Sequence, residues 1–103
     1  MGHRAHVQTK RVIEYGNCHF NHEQELVYDW LTENGVSVYT DDDSCWCNEW
    51  EIDKDDLRKI PKSAYKTLRE GDEWHEVSAK ELREFVKDLL AAPTGEYAYV
   101  SWF

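Results

Sequence analysis

Three cysteines and the histidines beside them constrain the fold of this chain more than any other feature of its sequence. Cys18 is followed directly by His19 and, four positions on, by His22, while Cys45 and Cys47 form a Cys-x-Cys pair further along. Thiolate and imidazole are the ligands that zinc prefers, and a structural site takes about four of them in a tetrahedron. We therefore predict one structural zinc site formed by Cys18, His22, Cys45 and Cys47, with His19 as the competing fourth ligand.

A structural metal fits the size of the chain and the environment that its cysteines indicate. With 103 residues, the chain is expected to form one domain over residues 1–103, whose limited core gains stability from a metal. An odd number of cysteines and an N-terminus without an apolar leader favour reduced thiols in the cytoplasm. The alternative is that the cysteines are small buried hydrophobic residues.

Capping signals and hydrophobic periodicity predict an α+β fold. Two capping boxes, Asn21 with Gln24 and Ser78 with Glu81, each predict the start of a main helix, and the first helix is expected to end at Asn34. Runs rich in β-branched and aromatic residues predict five strands, over residues 5–15, 36–40, 45–52, 73–77 and 96–103. We expect an antiparallel sheet of about four to five strands, stapled by the metal, with both main helices packed on one face.

Shorter segments and the inward faces of the helices are also predicted. A short helix over 53–60 is expected to be capped by Asp53 and stopped by Pro61, and a further helical segment is expected over 62–69. The last strand is apolar on both faces, which predicts a central position or one under a helix on one side. Periodicity of about 3.6 residues assigns these side chains to the core: Leu26, Val27, Trp30, Leu31, Leu82, Phe85, Val86 and Leu89.

The charge of the chain limits its partners. Its net charge of −9 repels nucleic acid phosphates and anionic membranes, so we expect it to bind a basic, nucleic-acid-binding protein instead. Between positions 41 and 56, eight acids face one lysine, a net charge of −7, and tryptophans are interleaved with them. Large aromatic residues are typical interface anchors. We predict a partner-binding surface formed by Asp41, Asp42, Asp43, Trp46, Glu49, Trp50, Glu51 and Asp55.

Two alternatives stay open for that segment and for the function. A run of charges is often only a solvated face, and Trp50 fits a core position equally well. The sequence contains no glycine-rich phosphate loop, no Gly-x-Ser-x-Gly and no His-Glu-x-x-His, so we predict that the protein is not an enzyme. A small zinc-dependent enzyme or a toxin–antitoxin-type regulator is the alternative.

The first seven residues, Met-Gly-His-Arg-Ala-His-Val, resemble the Met-Gly-x-Arg-x-x-Val start of many small bacteriophage proteins. Single-domain size, strong acidity, aromatic residues among the acids and no catalytic motif are together similar to the profile of phage-encoded anti-CRISPR proteins, some of which carry zinc. The resemblance implies a protein that acts in the cytoplasm of a host bacterial cell. It would bind a CRISPR effector nuclease, as the basic partner of the acidic segment, and block loading of nucleic acid.

Overall fold

The computed structural model of the chain describes residues 4–8, 19–20, 23–40, 49–70 and 72–102. Within these residues the chain forms an α+β fold with an antiparallel four-stranded sheet, three α-helices and a separate two-stranded hairpin. In chain order the elements are β1 (Ala5–Gln8), α1 (Gln24–Glu33), β2 (Val38–Thr40), β3 (Glu49–Asp53), α2 (Lys54–Arg58), β4 (Leu68–Glu70), β5 (Asp72–Val77), α3 (Ala79–Ala91) and β6 (Tyr97–Trp102).

The last strand lies inside the sheet, as its apolar character on both faces predicts. The strand order is β1-β6-β3-β2, and every neighbouring pair is antiparallel. One row of the register runs from Val7 through Val100 and Trp50 to Thr40. β2 and β3 pair with each other, Val38 with Ile52 and Thr40 with Trp50. The predicted strands over 5–15 and 45–52 are seen as β1 and β3, and their remaining residues lie outside the described part.

One face of the sheet forms the core with the two main helices. Alternation along the strands places seven buried side chains on this face: Ala5, Val7, Trp50, Ile52, Ala98, Val100 and Trp102. From α1, the ring of Tyr28 meets Trp50 edge-on at 5.7 Å between centroids. From α3, Phe85 contacts Phe20 at 4.9 Å, and Phe20 stacks on Trp102 at 6.0 Å. Both main helices therefore pack on the same face of the sheet.

Local capping signals locate the ends of the helices. Ser78 and Glu81 form both hydrogen bonds of a capping box at the start of α3. The predicted inward residues of α3 are all buried, which confirms its orientation. Helix α1 begins at Gln24 with Glu23 as its N-cap and no side-chain capping bond, whereas the predicted cap Asn21 lies outside the described residues. Its end at Asn34 is confirmed by a following glycine with φ of +79°.

The predicted helical segment over 62–69 is wrong beyond its first turn. Lys62–Ala64 forms a single 3-10 turn, after which the chain extends into β4 and pairs with β5. Arg69 Nε lies 2.7 Å from Glu76 Oε2 across the hairpin, and Leu68 packs against the core. These contacts come from residues further along the chain, so tertiary pairing overrides the local helix signal.

Candidate functional site

The predicted zinc ligands fall where the structure gives no test. Cys18, His22, Cys45 and Cys47 all lie outside the described residues. Within the part of the chain that is described, no group of three or more His, Cys, Asp or Glu side chains could hold a metal ion. The zinc site therefore remains a prediction from the spacing of its ligands.

The competing ligand His19 has a defined position in the fold. Its backbone forms a two-bond bridge with Ala5 of β1, both bonds being 2.9 Å long. Its side chain is 8% exposed, and Nε2 lies 2.7 Å from Asp88 Oδ2 on α3. The ring also meets the edge of Phe85 at 5.5 Å. His19 thus joins β1 to α3. Because Nε2 contacts Asp88, only Nδ1 remains for a metal. Asp88 would then orient the ring, as carboxylates do beside many metal-bound histidines.

The structure describes only part of the predicted partner surface. Asp41, Asp42, Asp43 and Trp46 lie outside the described residues, whereas its other members occupy β3 and α2. Glu49 is exposed and Glu51 half-buried on the sheet face opposite the helices, and Asp55 is exposed on α2.

Trp50 is the member of that surface whose position must be corrected. Trp50 is 2% exposed, and the centroid of its ring lies 5.1 Å from that of Trp102. It therefore belongs to the core, which is the alternative that the sequence left open for this residue. The cause is the alternation of β3, which turns Trp50 and Ile52 inward and the acids between them outward. A partner therefore cannot use the Trp50 ring as an anchor on the native fold.

Two tyrosines and two carboxylates lie on the outer face of the sheet, and a third carboxylate directly precedes β6. Tyr39 of β2 lies opposite Glu51 of β3, and Asp53 lies opposite Tyr97 of β6. The two tyrosine rings meet at 6.2 Å between centroids with an interplanar angle of 66°. Glu96, directly before β6, is exposed beside them. We call Tyr39, Glu51, Asp53, Glu96 and Tyr97 the acidic sheet patch.

The electrostatics of the acidic sheet patch are strongly negative. The pKa of Tyr97 is raised above its usual value, first by Tyr39 and then by Asp53, with smaller contributions from burial, Glu96 and Glu51. Among the described residues, no ion pair with a lysine or arginine involves any of these three carboxylates. The described strands of the four-stranded sheet also contain no lysine or arginine at all. Within the described part of the chain, the negative charge of the patch is therefore paired with no lysine or arginine.

The backbone that carries the patch is held firmly at one end. The Asp53 Oδ1 atom accepts a hydrogen bond from the N–H of Asp55 at 2.9 Å and so caps α2. Asp55 itself pairs with Arg58 at 2.8 Å, and both side chains are exposed. Within α2, Asp56 accepts from the N–H of Ser37, a bond that lowers the pKa of its carboxyl and ties the helix to the start of β2. One oxygen of Asp53 is thus committed to the fold, whereas no hydrogen bond with another described residue engages the carboxylates of Glu51 and Glu96.

Of the five residues of the acidic sheet patch, the sequence predicts only Glu51 as part of a surface; Asp53 is predicted as a helix cap, and the two tyrosines and Glu96 are not predicted. Tyr39 and Tyr97 alternate with inward residues in their strands, and this alternation is visible in the sequence. What the sequence lacks is the pairing of β3 with β6, which brings Asp53 opposite Tyr97. Of the two tryptophans predicted for the surface, Trp50 lies in the core, and Trp46 lies outside the described residues.

A second surface feature has the opposite charge. A shallow groove of about 560 Å³ runs along α3 beside Tyr65, with the cations Arg83 and Lys87 at its rim and Leu90 in its lining. Burial raises the pKa of the Tyr65 hydroxyl, whose ring packs against Trp30. Nothing in the structure shows what would cover this groove.

Comparison with the models of known protein families, with curated proteins and with solved structures finds no match for this chain. Among the described residues, no helix combines the length and the apolar character that crossing a bilayer requires.

Proposed function

We propose that this chain is a stoichiometric inhibitor that binds a basic, nucleic-acid-binding protein through its acidic sheet patch. The specific form of the proposal is a phage anti-CRISPR protein that acts in the host bacterial cytoplasm and blocks nucleic-acid loading of a CRISPR effector nuclease. The observation that supports it is the set of carboxylates on the outer sheet face, which pair with no lysine or arginine among the described residues.

The arrangement of these charges suits competition with nucleic acid. Glu51 and Asp53 are two residues apart on one strand, which separates them by about 7 Å at a rise of about 3.4 Å per residue. One strand of DNA carries a charge about every 3.4 Å along its axis, so β3 presents about half that linear density. A surface that attracts phosphates by its lysines and arginines attracts these carboxylates for the same reason. The net charge of −9 adds long-range steering toward such a surface.

The aromatic part of the patch contributes contact area. Among the described residues, Tyr39 is the large hydrophobic side chain that is exposed to solvent, at 51%. Tyrosine is enriched at protein interfaces because it offers a large rigid ring at a low entropic cost. Carboxylates set the rate and direction of approach, and the ring provides area that loses water on binding.

Zinc is part of the same proposal, as a structural ion held by Cys18, His22, Cys45 and Cys47. Three thiolates and one imidazole complete a tetrahedral sphere and leave no open position for a substrate, which is the arrangement of structural sites. The ligands precede α1 and β3 in the sequence. Such an ion would fix the segment before α1 to the segment before β3, and its binding would be coupled to folding.

Charge reversal with a matched control tests the proposal. In the double variant Glu51→Lys with Glu96→Lys, two patch carboxylates become cations. In the control, Glu33→Lys with Glu84→Lys, two exposed helical acids change by the same total charge. Each protein is added to purified CRISPR effector complexes before labelled target DNA, and DNA binding is measured.

The two variants are expected to differ. We expect the patch variant to lose inhibition by at least about tenfold in the half-inhibitory concentration, since several rim charges are reversed together, and the control to stay within about twofold of the native protein. Equal loss in both variants would show that only overall charge matters. Full activity of the patch variant would remove the patch from the proposal.

A further inference from the structure

We infer that the acidic sheet patch recognises an arginine side chain of its partner in preference to a lysine. This rests on the proposed function, since it specifies which cation of a basic partner the patch binds. The features that carry it are an exposed tyrosine ring in edge contact with a second ring, and carboxylates beside both rings.

The aromatic geometry offers a ring face next to negative charge. Tyr39 is 51% exposed, and its ring meets that of Tyr97 at an interplanar angle of 66°, so the two rings form a corner and not a stack. A planar guanidinium can lie flat on an aromatic face within about 6 Å of its centroid. The ammonium of lysine is compact and strongly hydrated, and it has no plane to stack.

Two carboxylates lie across from the two tyrosines on neighbouring strands. Glu51 is opposite Tyr39 and Asp53 is opposite Tyr97 across neighbouring strands, where Cβ atoms are about 4.5–5.5 Å apart. A guanidinium donates in its own plane and forms paired bonds to a carboxylate, so it can stack and donate at the same time. A lysine ammonium can pair with a carboxylate, but it cannot stack on the ring at the same time.

The available oxygens agree with this assignment. Glu51 and Glu96 form no ion pair with a lysine or arginine among the described residues, and Asp53 has one oxygen engaged by the Asp55 N–H. Glu51, opposite Tyr39, and Glu96, close to Tyr97, therefore carry four carboxylate oxygens near the two rings. This is enough to receive the five N–H donors of one guanidinium in bonds of good geometry.

Two capped nonapeptides test the preference on the full chain. One alternates arginine with glycine, and the other has lysine at every arginine position, so the two have equal charge. Binding is followed at low salt by two-dimensional NMR, with the backbone amides of Tyr39, Glu51 and Tyr97 as site-specific reporters. We expect the arginine peptide to bind about two- to fivefold more tightly, the size of one exposed cation–π contact.

Two substitutions at Tyr39 separate the ring from the hydroxyl. Tyr39→Phe keeps the ring and should keep the preference, whereas Tyr39→Leu should reduce arginine binding to the level of lysine. Glu51→Gln should weaken both peptides, and Glu33→Gln on α1 should change neither. Because Tyr39 is exposed, the leucine variant is expected to fold, and its NMR spectrum away from the patch checks this.

The outcomes distinguish this inference from the function on which it rests. Equal affinity for the two peptides, or a preference that survives Tyr39→Leu, would overturn the arginine assignment while leaving charge-based inhibition in place. Shifts that fall outside the patch for both peptides, together with full inhibition by the charge-reversed patch variant, would overturn the proposed function as well.

Discussion

Removing negative charge from the acidic sheet patch should make the protein more stable and less active at the same time. The perturbation is Glu51→Gln with Glu96→Gln, which keeps side-chain size and leaves Asp53 to cap α2. Two like charges about 7 Å apart repel by about 0.6 kcal/mol in water, and by more where the surface lowers the local dielectric. The patch holds three carboxylates and no pairing lysine or arginine among the described residues, so several such repulsions act together.

We expect the free energy of unfolding to rise by about 0.5–1.5 kcal/mol in the glutamine variant at low ionic strength. The assay is urea unfolding of both proteins at 10 mM and at 1 M salt, where the screening length falls from about 30 Å to about 3 Å. The gain should nearly vanish at 1 M salt. A variant that is less stable at low salt would refute the reasoning, because it would mean that these carboxylates make favourable contacts in the folded protein.

Three further predictions concern the metal and two titratable groups. Elemental analysis should find one zinc per chain. Cys45→Ser or Cys47→Ser should lose the ion and lower the melting temperature sharply. A native protein without metal would contradict the zinc site. Lys54 is 3% exposed and its ammonium donates to the carbonyl of Ala92 at the end of α3, so Lys54→Met should lower the free energy of unfolding by about 1–2 kcal/mol in urea unfolding. Burial lowers the pKa of Lys54, so just below pH 10.5 the unfolded chain binds more protons than the folded protein does. The free energy of unfolding should therefore rise with pH in that window, and the methionine variant should lack this rise. The phenol of Tyr97 should ionise above its usual pKa in an absorbance titration, and Glu51→Gln with Glu96→Gln should bring that pKa down, because those carboxylates add to the effects of Tyr39 and Asp53.

The features of the fold that can be predicted from the sequence are those that depend on residues close together in the chain. The capping box of Ser78 and Glu81 and the inward face of α3 depend on spacings of three and four residues, and both are confirmed. The inner position of β6 followed from apolar residues on both of its faces, a property of six consecutive residues.

The parts that sequence missed depend on contacts between distant segments. Residues 68 and 69 fall in a predicted helix because local propensity does not show that they pair with the strand predicted over 73–77. Trp50 was placed on a surface because acids surround it in sequence, whereas in the fold its strand turns it toward Trp102. The acidic sheet patch needs the register of β2, β3 and β6 together, and no single segment specifies that register.

The measurement that tests the central claim most directly is a titration of this protein against a fixed amount of purified CRISPR effector complex. Inhibitor is added before labelled duplex DNA, and DNA binding and cleavage are recorded at each ratio. A binder that occupies the nucleic-acid surface should complete inhibition near one molecule per effector, and free duplex DNA should show no shift with the protein alone. Complete inhibition at a few per cent of that ratio would contradict binding and point to an enzyme, and no inhibition at large excess across several effector types would contradict the proposed target.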